Sequence, residues 1–292
     1  MIFLYYIKEI DKLNICGKVF LKIKKNENKS DNASGEIIIP KLYSDWKAKD
    51  IHKLVKKIVK ILEKLNCNKI ILSNEIKKNK LFVNYLYTYG LEISDGKWLF
   101  EILSDKVLEY IISKKRLNKD EIYISILIND ISSISLENIK SIIMKYKKVN
   151  IVTKHIGKFK KIEEQILENI GKSVYISNNK KKCLIKSNVI LNIDFSEEEI
   201  NKYNIYDEAI IVNLKQNVKI NRKRFIGINI SDFEIKYIDN ELDLLELSLE
   251  YSLKEIYESK LSTKLLYQEI FEKIKKDSVE IEYLQGNNTR IW

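Results

Sequence analysis

The stretch Ile122-Tyr-Ile-Ser-Ile-Leu-Ile128, followed by Asn129-Asp-Ile-Ser-Ser133, decides the fold. Its nearly unbroken apolar run reads as a strand buried on both faces. A helical pattern follows over 136–146, with Ile139, Ile142, Ile143 and Tyr146 three and four apart. The next strand is 149–152. Phe159, Ile162, Ile166, Leu167 and Ile170 then make a second helix, ended by Gly171. A third strand, 173–177, runs into the exposed basic turn Asn178-Asn-Lys-Lys-Lys182. The fourth strand, 189–193, leads to a short acidic helix that Ser196 can cap, and strands at 209–214 and 225–230 complete the series. Strands alternating with helices predict an open, mainly parallel α/β sheet with helices on both faces.

Outward from that unit, the first 96 residues read as a smaller α/β domain. Strands are predicted at 2–7, 15–23 and 36–39, the last stopped by Pro40, with a polar hairpin loop over 26–35. Ser44 or Asp45 can cap a helix carrying Ile51, Leu54, Val55, Ile58 and Leu62. A short strand at 69–72 precedes a helix that Ser73 can cap. The domain boundary is placed near residue 97, giving an N-terminal domain over 1–96 and a second domain over 97–292. That second domain ends in helices from about 241, with a stripe of Leu242, Leu245, Leu249, Leu253 and Ile256 and a restart at Ser262. The stripe suits packing on the chain's own sheet better than a homodimer seam. Residues after 278 are expected to fray unless Trp292 pins the end.

Composition excludes several classes. The 292 residues contain no apolar run near the ~18 to 20 a membrane span needs, and the apolar start at Met1 lacks the basic flank of a signal peptide, so the cytoplasm is the expected compartment. Cys16, Cys67 and Cys183 are far apart, and His52 and His155 are the only histidines, so neither a disulfide framework nor a metal site is expected. The formal charge of +11 invites a nucleic-acid partner, through Lys180 to Lys182 and the run Arg222-Lys-Arg224. Only four of the 52 basic residues are arginine, however, and a solvated lysine-rich surface is the favoured reading.

In an open parallel sheet, ligands sit at the carboxyl ends of the strands. Asn129, Asp130, Thr153, Lys154, Ser177, Asn192 and Asp194 stand there and are the candidate cofactor-binding residues, although any strand running into a loop ends in polar residues. No glycine occurs between Gly96 and Gly157, so the Gly-x-Gly-x-x-Gly turn that admits a dinucleotide pyrophosphate is missing. That disfavours NAD or NADP, and Asp130 adds negative charge beside the place for the phosphates.

The runs Val149-Asn-Ile-Val-Thr-Lys154, Gly171-Lys-Ser-Val-Tyr-Ile176, Ser187-Asn-Val-Ile-Leu-Asn-Ile193 and Ala209-Ile-Ile-Val-Asn-Leu214 together resemble the Rossmann-type cofactor domain of shikimate and quinate dehydrogenases and of glutamyl-tRNA reductases. The resemblance covers about 110 residues of the chain. In the shikimate family an Asp-Gly pair precedes the cofactor domain and a lysine follows an extended Pro-containing stretch. Asp95-Gly96 and Ile39-Pro40-Lys41 stand in those places, so the resemblance implies Lys41 and Asp95 as a catalytic proton-transfer pair. The chain departs from the family where Glu36-Ile-Ile-Ile39 replaces its Asn-Val-Thr, and in the missing glycines. The leading expectation is therefore a binding or regulatory protein, for a small molecule or a protein partner, on a degenerate dehydrogenase-like scaffold. An NAD(P)-dependent oxidoreductase of a small polar acid and a nucleic-acid-associated protein are the alternatives.

Overall fold

The computed structural model describes residues 4–10, 20–25, 33–42, 46–238, 248–261, 267–287 and 289–292. The chain divides into two compact units, Met1–Gly96 with Tyr237–Val279, and Lys97–Lys236 with Glu280–Trp292. Both are α/β units built on mainly parallel sheets. No helix among the described residues is long and apolar enough to cross a membrane.

In the first unit, β1 (Leu4–Ile10), β2 (Phe20–Lys25), β3 (Ala33–Pro40), β4 (Lys69–Leu72) and β5 (Glu92–Ile93) form one sheet in the order β2-β3-β1-β4-β5. Only β2 runs antiparallel to its neighbour. The expected strand at 15–23 is thus displaced to β2, its first residues lying outside those described. The 26–35 loop gives up Ala33, Ser34 and Gly35 to β3, and 26–32 lie outside the described residues. Helix α1 (Ala48–Lys64) turns Ile51, Leu54, Val55, Ile58, Val59 and Leu62 onto the sheet, a stripe at three- and four-residue spacing. Its N-cap is Lys47, with no side-chain bond; Ser44 and Asp45 lie outside the described residues. The single helix expected after 72 is two. α2 (Asn74–Lys77) is capped by Ser73, and α3 (Lys80–Thr88) restarts on Asn79, whose side chain accepts from the Phe82 amide.

The second unit opens with α4 (Lys97–Ile102) and α5 (Ser104–Lys115), then alternates β6 (Tyr123–Leu127), α6 (Ser133–Lys145), β7 (Lys148–Val152), α7 (Ile156–Ile170), β8 (Tyr175–Ser177), β9 (Val189–Asn192), α8 (Glu197–Ile200), β10 (Ile210–Asn213) and β11 (Ile228–Ile230). Every pairing is parallel. The order β11-β10-β9-β6-β7-β8 places the first strand beside the fourth and reads 3-2-1-4-5-6 from the other edge, the doubly wound order of a Rossmann fold. α7 ends on Gly171 at φ +71°, a left-handed cap that a side chain would strain.

Two expectations fail at the C-terminus. Among the described residues after 278, 280–286 and 289–290 form strands instead of a frayed end. β12 (Asp232–Lys236), β13 (Glu280–Gly286) and β14 (Thr289–Arg290) form an antiparallel sheet in which Phe233, Ile235, Ile281 and Leu284 are buried. Phe233 also stacks on Phe100 of α4, with ring centroids 4.5 Å apart. Charged residues between the apolar ones disguised a period-two strand. The helical segment, placed with the second domain from sequence, belongs to the first unit. α9 (Leu253–Leu261) and α10 (Tyr267–Lys276) lie there, and Leu253 and Ile256 pack with Ile71 and Tyr251. Leu249, assigned to the same stripe, is 82% exposed. Leu242, Leu245 and Ser262 lie outside the described residues.

Candidate functional site

The carboxyl edge of the second unit's sheet is where a parallel α/β fold holds ligands. The turn after β6 is the part of that edge on which a dinucleotide pyrophosphate normally lies, held by backbone amides at a helix N-terminus. Here those amides have a partner inside the protein. The Asn129 amide donates to both carboxylate oxygens of Asp194, at 2.8 and 3.0 Å, and the Asp130 amide donates to Asp194 Oδ2 at 2.8 Å. Asp194 stands two residues beyond β9, held in place by the Ile193 amide, which bonds the Leu127 carbonyl at 2.9 Å. The Asp194 carboxylate thus occupies the two amides at the end of β6. The first turn of α6 is closed in the same way. Ser132 Oγ accepts from the Ser135 amide and Ser135 Oγ accepts from the Ser132 amide, a reciprocal capping box.

The neighbouring candidates are tied in as well. Asn129 Oδ1 accepts from the Lys154 amide at 3.1 Å, joining the ends of β6 and β7. The Lys154 ammonium pairs with Glu199, whose other oxygen accepts from the Ser196 amide at 2.7 Å. Asp130 is exposed and lies 3.4 Å from Lys158. Thr153 is fully buried and accepts from the His155 amide; Ser177 is buried and accepts from Asn179 N and Cys183 Sγ. The edge therefore brings Asn129, Asp130, Lys154 and Asp194 together through mutual bonds, while Thr153, Ser177 and Asn192 point their polar atoms into the protein.

Asn192 belongs to a ladder that sequence reasoning missed. Asn192 Nδ2 donates to Asn213 Oδ1 at 3.0 Å, Asn213 Nδ2 donates to Asn229 Oδ1 at 2.7 Å, and Asn229 Nδ2 donates to the Val218 carbonyl at 2.6 Å. Three adjacent strands, β9, β10 and β11, are cross-linked by side-chain amides. The signal was an asparagine closing the apolar runs of β9 and β10 and one inside β11.

In the first unit, Lys41 follows β3 and Asp95 follows β5, with β1 and β4 between those two strands. Three inter-strand steps span roughly 14 Å, so the sheet does not set the two residues side by side. Asp95 instead keeps company with residues of β4, α3 and the returning segment. It acts electrostatically on Lys69 and Tyr87, each of which also faces a glutamate of α9. Ser94 Oγ lies 2.9 Å from Glu258 Oε1 and 3.0 Å from the Glu255 carbonyl, and the Lys77 ammonium pairs with Glu255. Ser94, Glu255 and Glu258 are all buried.

Burial lowers the Lys69 pKa from its ordinary 10.5, against the opposing pull of Glu258, Glu92 and Asp95. The folded protein gives up that proton at a lower pH than the unfolded chain. Between the lowered value and 10.5 the unfolded chain binds more protons, so stability contributed by this group rises with pH. Urea unfolding at pH 8 and pH 10 should show the wild type gaining stability relative to Lys69→Met as the pH rises. A constant difference would contradict the lowered pKa.

No group of three or more His, Cys, Asp or Glu residues that could hold a metal occurs among the described residues. No protein-family model and no curated protein matches the chain. Solved structures with partial similarity include an L-tryptophan dehydrogenase from Nostoc punctiforme (8% identity, TM-score 0.38, 82% of this chain and 66% of that one). A putative malic enzyme is similar at 12% identity and TM-score 0.31, over 62% of this chain and 50% of that one. A shikimate 5-dehydrogenase-like protein is similar at 11% identity and TM-score 0.24, over 60% and 66%. The chain spans less than two thirds of the length of the first two. The strand order fixes the fold class: a doubly wound, Rossmann-type sheet. In this chain the amides of the turn after β6 donate to its own Asp194 carboxylate.

Proposed function

We propose that the chain is a binding or regulatory protein that does not carry NAD or NADP in the usual Rossmann pose. The observation that supports this is the Asp194 carboxylate on the Asn129 and Asp130 amides. A cofactor phosphate entering this turn must displace a charge already bound there, and meets Asp130 as well. Two charge-assisted bonds lost at roughly 1.5 to 3 kcal/mol each weaken a micromolar site by about 10²- to 10⁴-fold, into the range of roughly 0.2 to 25 mM. Isothermal titration with oxidised and reduced NAD and NADP is the test, and heats fitting a micromolar site would count against this reading.

The same contact predicts an anion effect. Asp194→Ala should lower stability by about 2 kcal/mol, because two amides at the turn lose a charged acceptor and only partly exchange it for water. Added phosphate should restore part of that loss in the variant and do little for the wild type, since only the vacated amides can bind it. Thermal unfolding of both proteins over a phosphate series checks this. Equal responses would show that Asp194 does not stand in for an anion.

A further inference from the structure

A groove on the opposite edge of the second unit's sheet, near the starts of β6, β7 and β8, is assigned to nothing so far. Residues paired in parallel register share a face, so Tyr123 lies with Lys148, and Ser125 with Asn150 and Tyr175. Towards the strand ends this face is dry: Leu127 and Val152 are buried under Leu184, Phe195 and Ile200. Towards the strand starts it is polar. The reason lies in the connection from β8 to β9. A doubly wound fold usually covers such a face with a crossover helix, whereas residues 178–188 form turns and one isolated bridge, Leu184 to Ile205. Beneath it Ser125 Oγ bonds both Asn150 Oδ1, at 2.6 Å, and Ser187 Oγ, at 2.5 Å.

What remains open is a cavity of about 420 Å³, bordered by Lys147, Lys148, Lys182, Lys186, Tyr123 and Tyr175. A second cavity of about 470 Å³ shares Tyr123 and Lys186 and adds Tyr206. Tyr175 is 66% exposed and Tyr123 is 39% exposed. The Lys148 ammonium sits 4.6 Å from the Tyr123 ring centroid. Lys147 pairs with Asp120 at 2.9 Å, and Glu121 borders the second cavity, while Lys182 and Lys186 are exposed with no ion pair among the described residues. Tyr175 thus holds most of its ring in water among these lysines, and Tyr123 carries an ammonium on its ring at the border of the same cavity.

We propose that this groove binds single-stranded nucleic acid, with phosphates on the lysines and bases stacked on Tyr175 and Tyr123. Basic grooves interleaved with aromatic rings hold single strands in this way, and stacking is tolerant of sequence. Lysine serves for phosphate neutralisation, and the shortage of arginine points away from reading base edges. A duplex hides its base faces and gains nothing from the tyrosines. The inference stands whether or not the 129–133 turn can take a phosphate. Of the two basic runs singled out in the sequence, only Lys182 takes part. Arg222 is tied to the Tyr203 carbonyl and to Asn204 Oδ1.

Fluorescence anisotropy with a labelled 12-nucleotide single-stranded DNA, the matching duplex and AMP as competitor tests it, at 50 and 200 mM KCl. The single strand should bind more tightly than the duplex at the higher salt. Tyr175→Ala should weaken it at least fivefold. The double variant Lys182→Gln, Lys186→Gln should weaken it and reduce the salt slope by about 1.4, from two phosphates at ~0.7 each. Lys160→Gln with Lys161→Gln, on exposed positions of α7, removes the same charge elsewhere and should have little effect. All these side chains are exposed, and circular dichroism verifies that each variant folds. The proposal is overturned by absence of single-strand binding at 50 mM, by equal losses in the two lysine pairs, by an unaffected Tyr175 variant, or by AMP binding as tightly as the oligonucleotide.

Discussion

Asn213→Ala is expected to lower the unfolding free energy by about 4 kcal/mol. Asn213 is fully buried and makes three bonds with its side chain: it accepts from Asn192 Nδ2 at 3.0 Å and donates to Asn229 Oδ1 at 2.7 Å and to the Ile230 carbonyl at 3.2 Å. Truncation leaves one donor and two acceptors without that partner. A buried polar group left unpaired costs roughly 1 to 3 kcal/mol, far more than the net value of the bond when intact. Asn192 keeps its bonds with Phe195, so it does not swing free to find another partner. Chemical denaturation of the variant is the check. Replacing Asn213 by Ser, which restores part of the bonding, should recover some of the loss. A cost below about 1 kcal/mol would mean that water or side-chain movement satisfies the ladder without Asn213.

Gly286→Ala is expected to cost about 3 kcal/mol and to disturb the C-terminal sheet. A Cβ at position 286 would fall deep inside the van der Waals radius of the Asn229 carbonyl oxygen, 2.8 Å from Ile291 Cδ1 and 3.2 Å from the Asn229 carbonyl carbon. The main obstacle is backbone, so rotamer changes cannot relieve it; β13 has to move away from β11. That movement strains the Ser231 amide bond to the Gln285 carbonyl, now 2.9 Å. Overpacking of this kind costs typically 1 to 3 kcal/mol, and the upper end applies where main chain meets main chain. Unfolding measurements together with amide exchange of 280–286 are the test. An unchanged exchange pattern would contradict the close approach.

The sheet of the second unit was legible because its strands are buried on both faces. Residues 122–128, 189–193 and 209–214 are apolar almost throughout, and glycine or capping serines punctuate the helices between them. β13 was hidden because a half-exposed strand carries charge at every other position, as Glu280, Glu282 and Ile281 show. The destination of α9 was hidden for a different reason. Its partners Ile71 and Ser94 are more than 150 residues away in sequence, and periodicity reveals an apolar face without saying what covers it. The groove left two marks in the sequence, Ser125 and Asn150, which interrupt runs that a covered strand would keep apolar.

The bonding of the 129–133 turn was not legible in the sequence. The missing glycines pointed to the 129–133 turn, and Asp130 drew attention as the local negative charge. Asp130 faces solvent instead, and the carboxylate on the turn is Asp194, brought there by the pairing of β6 with β9. A contact across 65 residues depends on strand order, which composition and spacing do not encode.

The central claim, that Asp194 holds the amides a cofactor phosphate needs, is tested most directly by ¹⁵N NMR of the Asn129 and Asp130 amides during titration with NADH and NADPH. The account predicts that both resonances stay in place in the wild type at millimolar cofactor, shift on Asp194→Ala, and then respond to added phosphate. Saturable micromolar shifts at these two amides in the wild type, lost when Ser132 is replaced by Trp, would contradict it.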